Sequence, residues 1–196
     1  MIESLEEIDR AIFLALNGMH SSWGDVIMWY ASTTWIWIPL YAFMLFFAYK
    51  KMGWKFAAII LAGAGMCVLL ADLTSVHLFK NVFLRYRPSH NEELQGLVHN
   101  VVKPNGEVYY GGLYGFVSSH AANVSAIGLF AMLSFKELNR KWFYLIVWMI
   151  LVMYSRIYLG VHYPSDIIFG SALGLIIGWS VWKLSQKLIT GFIVSK

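Results

Sequence analysis

Five long apolar runs limit how this 196-residue chain can fold. They cover about residues 26–49, 55–79, 118–135, 142–159 and 167–184. A helix of about 18–24 residues rises about 27–36 Å, which is enough to cross the hydrocarbon core of a bilayer. Only 13% of the residues are charged, whereas a soluble domain usually carries about 25%. We therefore expect an all-α integral membrane helical bundle of five to six helices, forming one domain over residues 1–196.

The segment 3–17 differs from these runs because it mixes acidic and apolar residues. Its apolar positions recur at helical spacing: Leu5, Ile8, Ile12 and Leu16. The acidic residues lie mostly elsewhere around the helix, a pattern typical of an amphipathic helix on a membrane surface. A sixth span is less favoured here because its carboxylates would be costly in hydrocarbon. The sequence therefore predicts an interfacial helix within residues 1–20.

Basic residues indicate how the bundle is oriented. They cluster in the short segments 50–55 and 136–141 and in the tail, at Lys183, Lys187 and Lys196. The positive-inside rule places these segments in the cytoplasm. With five spans, the connections 80–117 and 160–166 then face outward. Both also carry or adjoin basic residues, which run against the rule and need another explanation.

The first of three polar clusters opens the connection 80–117. Lys80 and Arg87 are seven residues apart, so on a continuous helix they would share one face, about 10 Å apart along the axis. Pro88 then discourages continuation of the helix. Two cations on one face suit an anionic group such as phosphate. Cationic side chains that anchor a helix end at the membrane surface would give the same pattern.

The second cluster opens the third apolar run with Ser118, Ser119 and His120. Small and hydroxyl residues at a helix N-terminus leave backbone N–H groups free to bind an anion. His120 adds a titratable donor in the first turn. The structural alternative is an N-cap serine beside an interfacial histidine.

The third cluster lies between the last two runs and contains Arg156, His162 and Asp166. Pro164 can occupy the first position of the last span, and Asp166 would then lie close enough to hold the His162 imidazole in one tautomer. A carboxylate that orients a histidine is half of a catalytic triad, although a hydrogen-bonded structural loop is the alternative. Because the topology places all three clusters at one membrane face, together they predict a site for phosphoryl transfer.

The three clusters resemble, in order, the three-part signature of the type 2 phosphatidic acid phosphatase family. The matching residues are Lys80-x6-Arg87-Pro88, Ser118-Ser119-His120 and Ser155-Arg156-x5-His162-x3-Asp166. The family pattern Pro-Ser-Gly-His reads Val117-Ser118-Ser119-His120 here, so a serine replaces the glycine. Family members also commonly have six spans, and the first is weak in this chain.

The resemblance implies a lipid phosphatase and a role for each matching residue. His162 would be the nucleophile that forms a phosphohistidine, Asp166 would orient it, and His120 would protonate the leaving oxygen. The phosphoryl oxygens would be held by Lys80, Arg87, Ser118, Ser119 and Arg156. The family implies no metal and no other cofactor.

The implied partners are a lipid phosphate substrate and the bilayer. We favour undecaprenyl diphosphate as substrate, with lipid A phosphatase or phosphatidylglycerol phosphate phosphatase activity as alternatives. By the same resemblance, we expect a bacterial cytoplasmic membrane protein with its site on the periplasmic or extracellular side. Two functions outside the enzyme class are a phosphate-lipid binding protein and a transporter. The net charge of +4 gives no sign of nucleic-acid binding, and the oligomeric state is not predicted.

Three further features predict local structure around the site. Asp72, in the second run, is expected to face the bundle or to support the site from beneath; His77 has no assigned role. The loop 89–117 is long for an idle connection, so we predict that it forms a flap that shapes headgroup selectivity. Small residues at Gly170-x3-Gly174-x3-Gly178 predict a close helix contact, within the chain in preference to between two chains.

Overall fold

The structure, a computed structural model, describes residues 2–194. Lys196 of the predicted cytoplasmic tail lies outside these residues. Within them the chain is helical and has no β-strand, which confirms the all-α prediction. The helices are α1 (Ile2–Asn17), α2 (Ser22–Ser32), α3 (Ile38–Met52), α4 (Trp54–Phe83), α5 (Ser119–Phe135), α6 (Leu145–Tyr158) and α7 (Pro164–Val194).

Fewer helices are long enough to cross a membrane than the five predicted. By length and composition, α4 and α7 qualify, and α2 together with Thr34–Met52 qualifies as a bent pair. Helices α5 and α6 are apolar but shorter, with 17 and 14 residues. Helix α5 packs between α4, α6 and α7 and buries most of its side chains. By this test of length and composition, two or three helices of residues 2–194 qualify as full-length spans, fewer than the five apolar runs.

The predicted span 26–49 is not one straight helix, because the chain bends by 73° between α2 and α3. Thr33 adopts an extended conformation there, and its hydroxyl donates to the carbonyl of Trp29 at 2.8 Å. The Trp37 indole donates to the carbonyl of Ala31 at 2.9 Å. Helix α3 then starts around Pro39, which lacks the N–H that a continuous helix would need.

Helix α1 forms where the sequence predicted an amphipathic helix. Its exposed apolar side chains are Leu5, Ile8 and Ile12. Its buried side chains are Asp9, Phe13 and Asn17, spaced four residues apart. The apolar stripe is thus free to contact lipid, while the adjoining face packs on the protein through Asp9, Phe13 and Asn17.

The glycine stripe of α7 packs against α5, as predicted for a contact within the chain. A Cβ atom at Gly170, Gly174 or Gly178 would lie only 2.2–2.6 Å from a backbone carbonyl oxygen of the facing segment, residues 118–126. Glycine is therefore required for the two helices to approach this closely. Helices α5 and α7 begin, and α4 and α6 end, at the same end of the bundle. The three polar clusters of the sequence lie at that end.

Candidate active site

A cavity of about 410 Å³ opens among the helix ends where the three polar clusters meet. Its polar wall contains Lys80, Arg87, Ser119, His120, Arg156 and His162. Its apolar wall contains Trp37, Tyr41, Val68, Val124, Ile127 and Val152. The structure thus brings six of the eight predicted site residues to one cavity, and the other two, Asp166 and Ser118, lie behind its wall.

Lys80 reaches the cavity from the end of α4. It closes a π-helical segment, Ser75–Lys80, a distortion that is frequent at functional sites. The ammonium group donates to the Ser119 hydroxyl at 2.7 Å, and the Ser75 hydroxyl lies at the same distance from that oxygen. The serine that replaces the family's glycine is therefore accommodated, and it links α4 to the start of α5.

Arg87 reaches the same cavity by a different route from the one predicted. Helix α4 ends at Phe83, and Leu84 takes a left-handed conformation with φ of 48°. Arg87 itself is extended, as expected for a residue that precedes a proline. The prediction that Lys80 and Arg87 share one helix face is therefore wrong, although both side chains line the cavity.

The Arg87 guanidinium is held by hydrogen bonds to backbone and side chain. Its Nε donates to the carbonyl of Tyr114 at 3.1 Å, and Nη1 donates to the carbonyl of Val161 at 3.1 Å. Nη1 also lies 2.9 Å from Nε2 of His162. Burial, followed by the nearby charge of Arg156, lowers the pKa of Arg87 to about 10. The side chain is still a cation at neutral pH.

His162 and Asp166 form the predicted pair. Pro164 is the first residue of α7, and Asp166 Oδ2 lies 3.2 Å from Nδ1 of His162. Because arginine has only donors, the contact with Arg87 requires Nε2 of His162 to accept, so the ring proton sits on Nδ1 and faces Asp166. Burial and then the charge of Arg87 hold the pKa of His162 well below its usual range. The imidazole is therefore neutral, with a lone pair at the cavity.

Arg156 comes from the last turn of α6 and is almost fully buried. Its Nη1 donates to the hydroxyl of Ser32 at the α2–α3 bend, and Nη2 donates to the Tyr109 hydroxyl at 3.1 Å. The bend that hydropathy did not predict therefore contributes to the site. Tyr109 belongs to the loop 89–117 and lines the cavity, whereas its neighbour Tyr110 is exposed.

The two serines of the second cluster take different positions. Ser118 is fully buried, and its hydroxyl accepts from the backbone N–H of Ala121 as the N-cap of α5. Its own backbone N–H donates to the carbonyl of Asp166 at 3.0 Å. Ser119 and His120 line the cavity. The Ser118 hydroxyl is thus an N-cap, as in the structural alternative to an anion site, while Ser119 is placed to contact a ligand.

Asp72 also lines the cavity, which is more direct than the support from beneath that the sequence suggested. Its Oδ1 accepts a hydrogen bond from the Asn123 amide at 2.8 Å. His77 lies in the π-helical segment and does not line the cavity. Across residues 2–194, no three His, Cys, Asp or Glu side chains are grouped so that they could hold a metal ion.

Two site residues were missed at the sequence level, Arg85 and Asp9. Arg85 Nη1 donates to Asp166 at 2.9 Å, and Nη2 donates to Asp9 at 2.8 Å. The sequence feature that could have indicated Arg85 is its position as a further basic residue between Lys80 and Arg87. Nothing in the local pattern of α1 distinguishes Asp9 from its acidic neighbours.

The cavity therefore combines three cations with an oriented neutral histidine and a second histidine, all at one end of a helical membrane bundle. Comparison with known proteins agrees with this arrangement, since residues 53–190 match the PAP2 superfamily. The chain belongs to the PAP2 superfamily. This confirms the resemblance to type 2 phosphatidic acid phosphatases. It identifies the chain as an integral membrane lipid phosphatase, a phosphoric ester hydrolase.

Relatives similar in sequence include two bacterial proteins named lipid A 4′-phosphatase. The one from Porphyromonas gingivalis is 37% identical over 185 residues, which cover 93% of this chain and 75% of that protein. The one from Bacteroides thetaiotaomicron is 33% identical over 191 residues, 96% of this chain and 81% of that protein. An undecaprenyl-diphosphatase of Sulfolobus acidocaldarius is 29% identical over 141 residues, 71% of this chain and 58% of that protein.

The fold is similar to that of a transmembrane PAP2 type phosphatidylglycerolphosphate phosphatase from Bacillus subtilis. Its crystal structure superposes with a TM-score of 0.67 at 21% identity, covering 94% of this chain and 87% of that one. At this identity the likeness supports the architecture and carries no information on the substrate. The helical bundle and its helix order are thus shared with a solved membrane phosphatase.

Proposed function

We propose that this PAP2 enzyme removes a phosphate group from lipid A through a phosphohistidine at His162, without a metal ion. The observation that carries the mechanism is the hydrogen bonding of His162. Its Nδ1–H faces Asp166, and its Nε2 is at the cavity beside the Arg87 guanidinium. A neutral imidazole oriented by a carboxylate is an activated nucleophile.

In the first step, His162 Nε2 attacks phosphorus and the bond from phosphorus to the lipid oxygen breaks. The hydrogen bond that Arg87 Nη1 donates to Nε2 is then donated to a phosphoryl oxygen instead. His120, which lines the same cavity, takes up a proton when the anionic phosphate binds beside it and, as an imidazolium, donates that proton to the leaving oxygen. In the second step, water loses a proton to His120 and attacks phosphorus, the bond from phosphorus to Nε2 breaks, and phosphate leaves. Asp166 accepts from Nδ1–H throughout and stabilises the positive charge on the ring.

The charge on the transferring group is balanced by side chains. Lys80, Arg87 and Arg156 all line the cavity and supply three positive charges at the equatorial oxygens. Ser119 adds a hydroxyl that already accepts from Lys80. Preorganised cations around the phosphoryl group provide the electrostatic stabilisation that phosphoryl transfer needs. This is the basis for proposing metal-independent turnover.

The lipid tail has a path between the helices. The apolar wall of the catalytic cavity shares Tyr41, Val68 and Ile127 with a second, strongly apolar cavity of about 240 Å³ between α3 and α4. The far part of this cavity is lined by Met44, Leu45, Ile60, Leu61, Ala64 and Gly65. An acyl chain lying there would bury apolar surface while its phosphate meets the cations.

Lipid A is favoured over undecaprenyl diphosphate, the substrate first expected. The two relatives named lipid A 4′-phosphatase align with nearly the whole chain, whereas the undecaprenyl-diphosphatase aligns with less of it and at lower identity. Undecaprenyl diphosphate is the second candidate on the strength of that relative. We further propose that the protein resides in a bacterial cytoplasmic membrane with its cavity facing outward, since the basic segments 50–55 and 136–141 lie at the opposite end of the bundle.

Phosphate release from a panel of lipids tests this proposal. The purified protein is assayed with lipid A, undecaprenyl diphosphate and phosphatidylglycerol phosphate in mixed micelles, each with EDTA and with or without vanadate. We expect the highest kcat/KM on lipid A, full activity in EDTA and inhibition by vanadate. Faster turnover of undecaprenyl diphosphate would overturn the substrate assignment. A requirement for added Mg²⁺ would overturn the metal-independent mechanism.

A further inference from the structure

Behind the catalytic cavity, a second set of charged groups holds Asp166 from the side that faces away from His162. Asp166 is fully buried. Its Oδ2 accepts from the His162 ring and from the backbone N–H of Tyr163 at 3.0 Å, while its Oδ1 accepts from Arg85 at 2.9 Å. A buried carboxylate is costly unless it is paired. Arg85 is the arginine that provides this pairing, and it does not line the catalytic cavity.

Arg85 is in turn fixed by helix α1. Its Nη2 donates to Asp9 at 2.8 Å, and its guanidinium lies 4.2 Å from the centre of the Tyr163 ring. Asp9 also accepts from the backbone N–H of Ser165 at 2.9 Å and from the Ser165 hydroxyl. Asp9 therefore contacts both Arg85 and the first turn of α7, the turn that carries Asp166.

We propose that Asp9 and Arg85 are positioning residues for the reaction: they hold Asp166 so that its Oδ2 keeps the proton of His162 on Nδ1. The proposal rests on the proposed role of His162 as nucleophile. Asp9 lies outside residues 53–190, which match the family. Through it, the amphipathic helix that presents Leu5, Ile8 and Ile12 outward also completes the support of the catalytic pair.

The positive charge of Arg85 has a consequence beyond geometry. The charged groups that face Asp166 are Arg85 and Asp9, and those that face His162 are Lys80, Arg87, His120 and Arg156. Uptake of one proton by the His162–Asp166 pair blocks attack. The proton either occupies Nε2 of His162, the nucleophile, or neutralises the Asp166 carboxylate that accepts from Nδ1–H. Removing the positive charge closest to Asp166 makes that uptake easier. The acid limb of the rate–pH profile therefore moves to higher pH when Arg85 is neutralised.

The chain offers a matched control for docking of α1. Arg10 on α1 forms an ion pair with Glu93 of the loop 89–117, so it also joins this helix to the connection that carries Arg85. Neither Arg10 nor Glu93 contacts the catalytic pair. If α1 contributed only by staying attached, neutralising this control pair would have the same effect as neutralising Asp9 and Arg85.

The experiment compares Arg85→Gln, Arg85→Lys and Asp9→Asn with the controls Arg10→Gln and Glu93→Gln in the full-length protein. Initial rates on lipid A in mixed micelles are recorded from pH 4.5 to 9. We expect Arg85→Gln to lower kcat about 10–100-fold and Asp9→Asn about 3–10-fold, with KM changed by less than about twofold, since such supporting contacts act on the oriented group. The acid limb of Arg85→Gln should move up by about one pH unit, and Arg85→Lys should restore it. The control variants should retain wild-type kcat and pH profile.

Three results would overturn the proposal: wild-type kcat in Arg85→Gln, an unmoved acid limb, or equal losses in the control variants. Thermal midpoints are recorded for each variant. If Arg85→Gln does not fold, Asp9→Asn decides the proposal: a kcat no lower than that of Arg10→Gln and Glu93→Gln would overturn it. A wild type that is inactive on lipid A would contradict the proposed substrate alone. The same variants are then compared on undecaprenyl diphosphate, so the two failures are distinguished.

Discussion

Replacing Gly174 by alanine tests whether the contact between α5 and α7 sets the geometry of the bundle. A Cβ atom at this position would lie 2.2 Å from the carbonyl oxygen of Ala122 and 2.8 Å from the Cβ of Ser125. The first distance is about 1.2 Å short of ordinary van der Waals contact, in a close-packed interior. The obstacle is backbone, so the helices must move apart.

The expected cost follows from two opposing effects. Overpacking of this kind costs about 1–3 kcal/mol, whereas alanine favours helix over glycine by about 1 kcal/mol. We expect a net loss of up to about 2 kcal/mol in the free energy of unfolding, which corresponds to up to about 8 °C in the thermal midpoint for a chain of this size. Activity should fall as well, because α5 carries His120 and α7 carries Asp166.

Gly65→Ala is the matched control for this substitution. Gly65 also lies within an apolar helix, α4, but a Cβ there would meet no atom within 4 Å. Helix propensity should then leave the variant as stable as the wild type or more stable by up to about 1 kcal/mol. The comparison is made by thermal unfolding of both variants in the same detergent. If Gly174→Ala were as stable as Gly65→Ala, the packing argument would be refuted.

Three further predictions concern the site. Asp166→Asn should lower kcat about 10⁴-fold with little change in KM, as expected when a histidine loses the acceptor that fixes its tautomer; steady-state kinetics on micellar lipid A check this, and a loss below tenfold would contradict it. Because the pKa of His162 is lowered in the folded state, only the unfolded chain binds its proton, so the contribution of His162 to stability should fall as pH drops below about 6.5 and be constant above it. His162→Asn should reduce this slope, and an unchanged slope would show that other groups cause it. Tyr109→Phe removes the hydroxyl that contacts Arg156 and should change the ratio of kcat/KM between lipid A and phosphatidylglycerol phosphate; an unchanged ratio would argue against a role of the loop 89–117 in headgroup selectivity.

The features that sequence predicted well are those set by local spacing. His162 and Asp166 are four residues apart with Pro164 between them, so the start of α7 alone brings the pair together. The glycine stripe follows in the same way from a four-residue repeat on one helix face. Prediction of the cavity needed only the direction of each helix and the end at which each cluster lies.

The features that sequence missed depend on contacts between distant segments. Hydropathy continues across Thr33, so it gave no sign of the bend that brings Ser32 to Arg156. Arg87 was expected on a helix, but the left-handed turn at Leu84 redirects the chain. Asp9 and Arg85 are 76 residues apart. No periodicity in either segment encodes that pairing, which only the packed fold can supply.

The most direct measurement of the central claim is detection of the covalent intermediate. Lipid A labelled with ³²P at its phosphate is mixed with the protein, quenched in base on the millisecond scale to preserve a phosphohistidine, and the labelled peptide is identified by mass spectrometry. The account predicts a base-stable, acid-labile phosphoryl group on His162 that is absent in His162→Ala. Label on another residue, or rapid phosphate release with no phosphoryl-enzyme at any time, would contradict it.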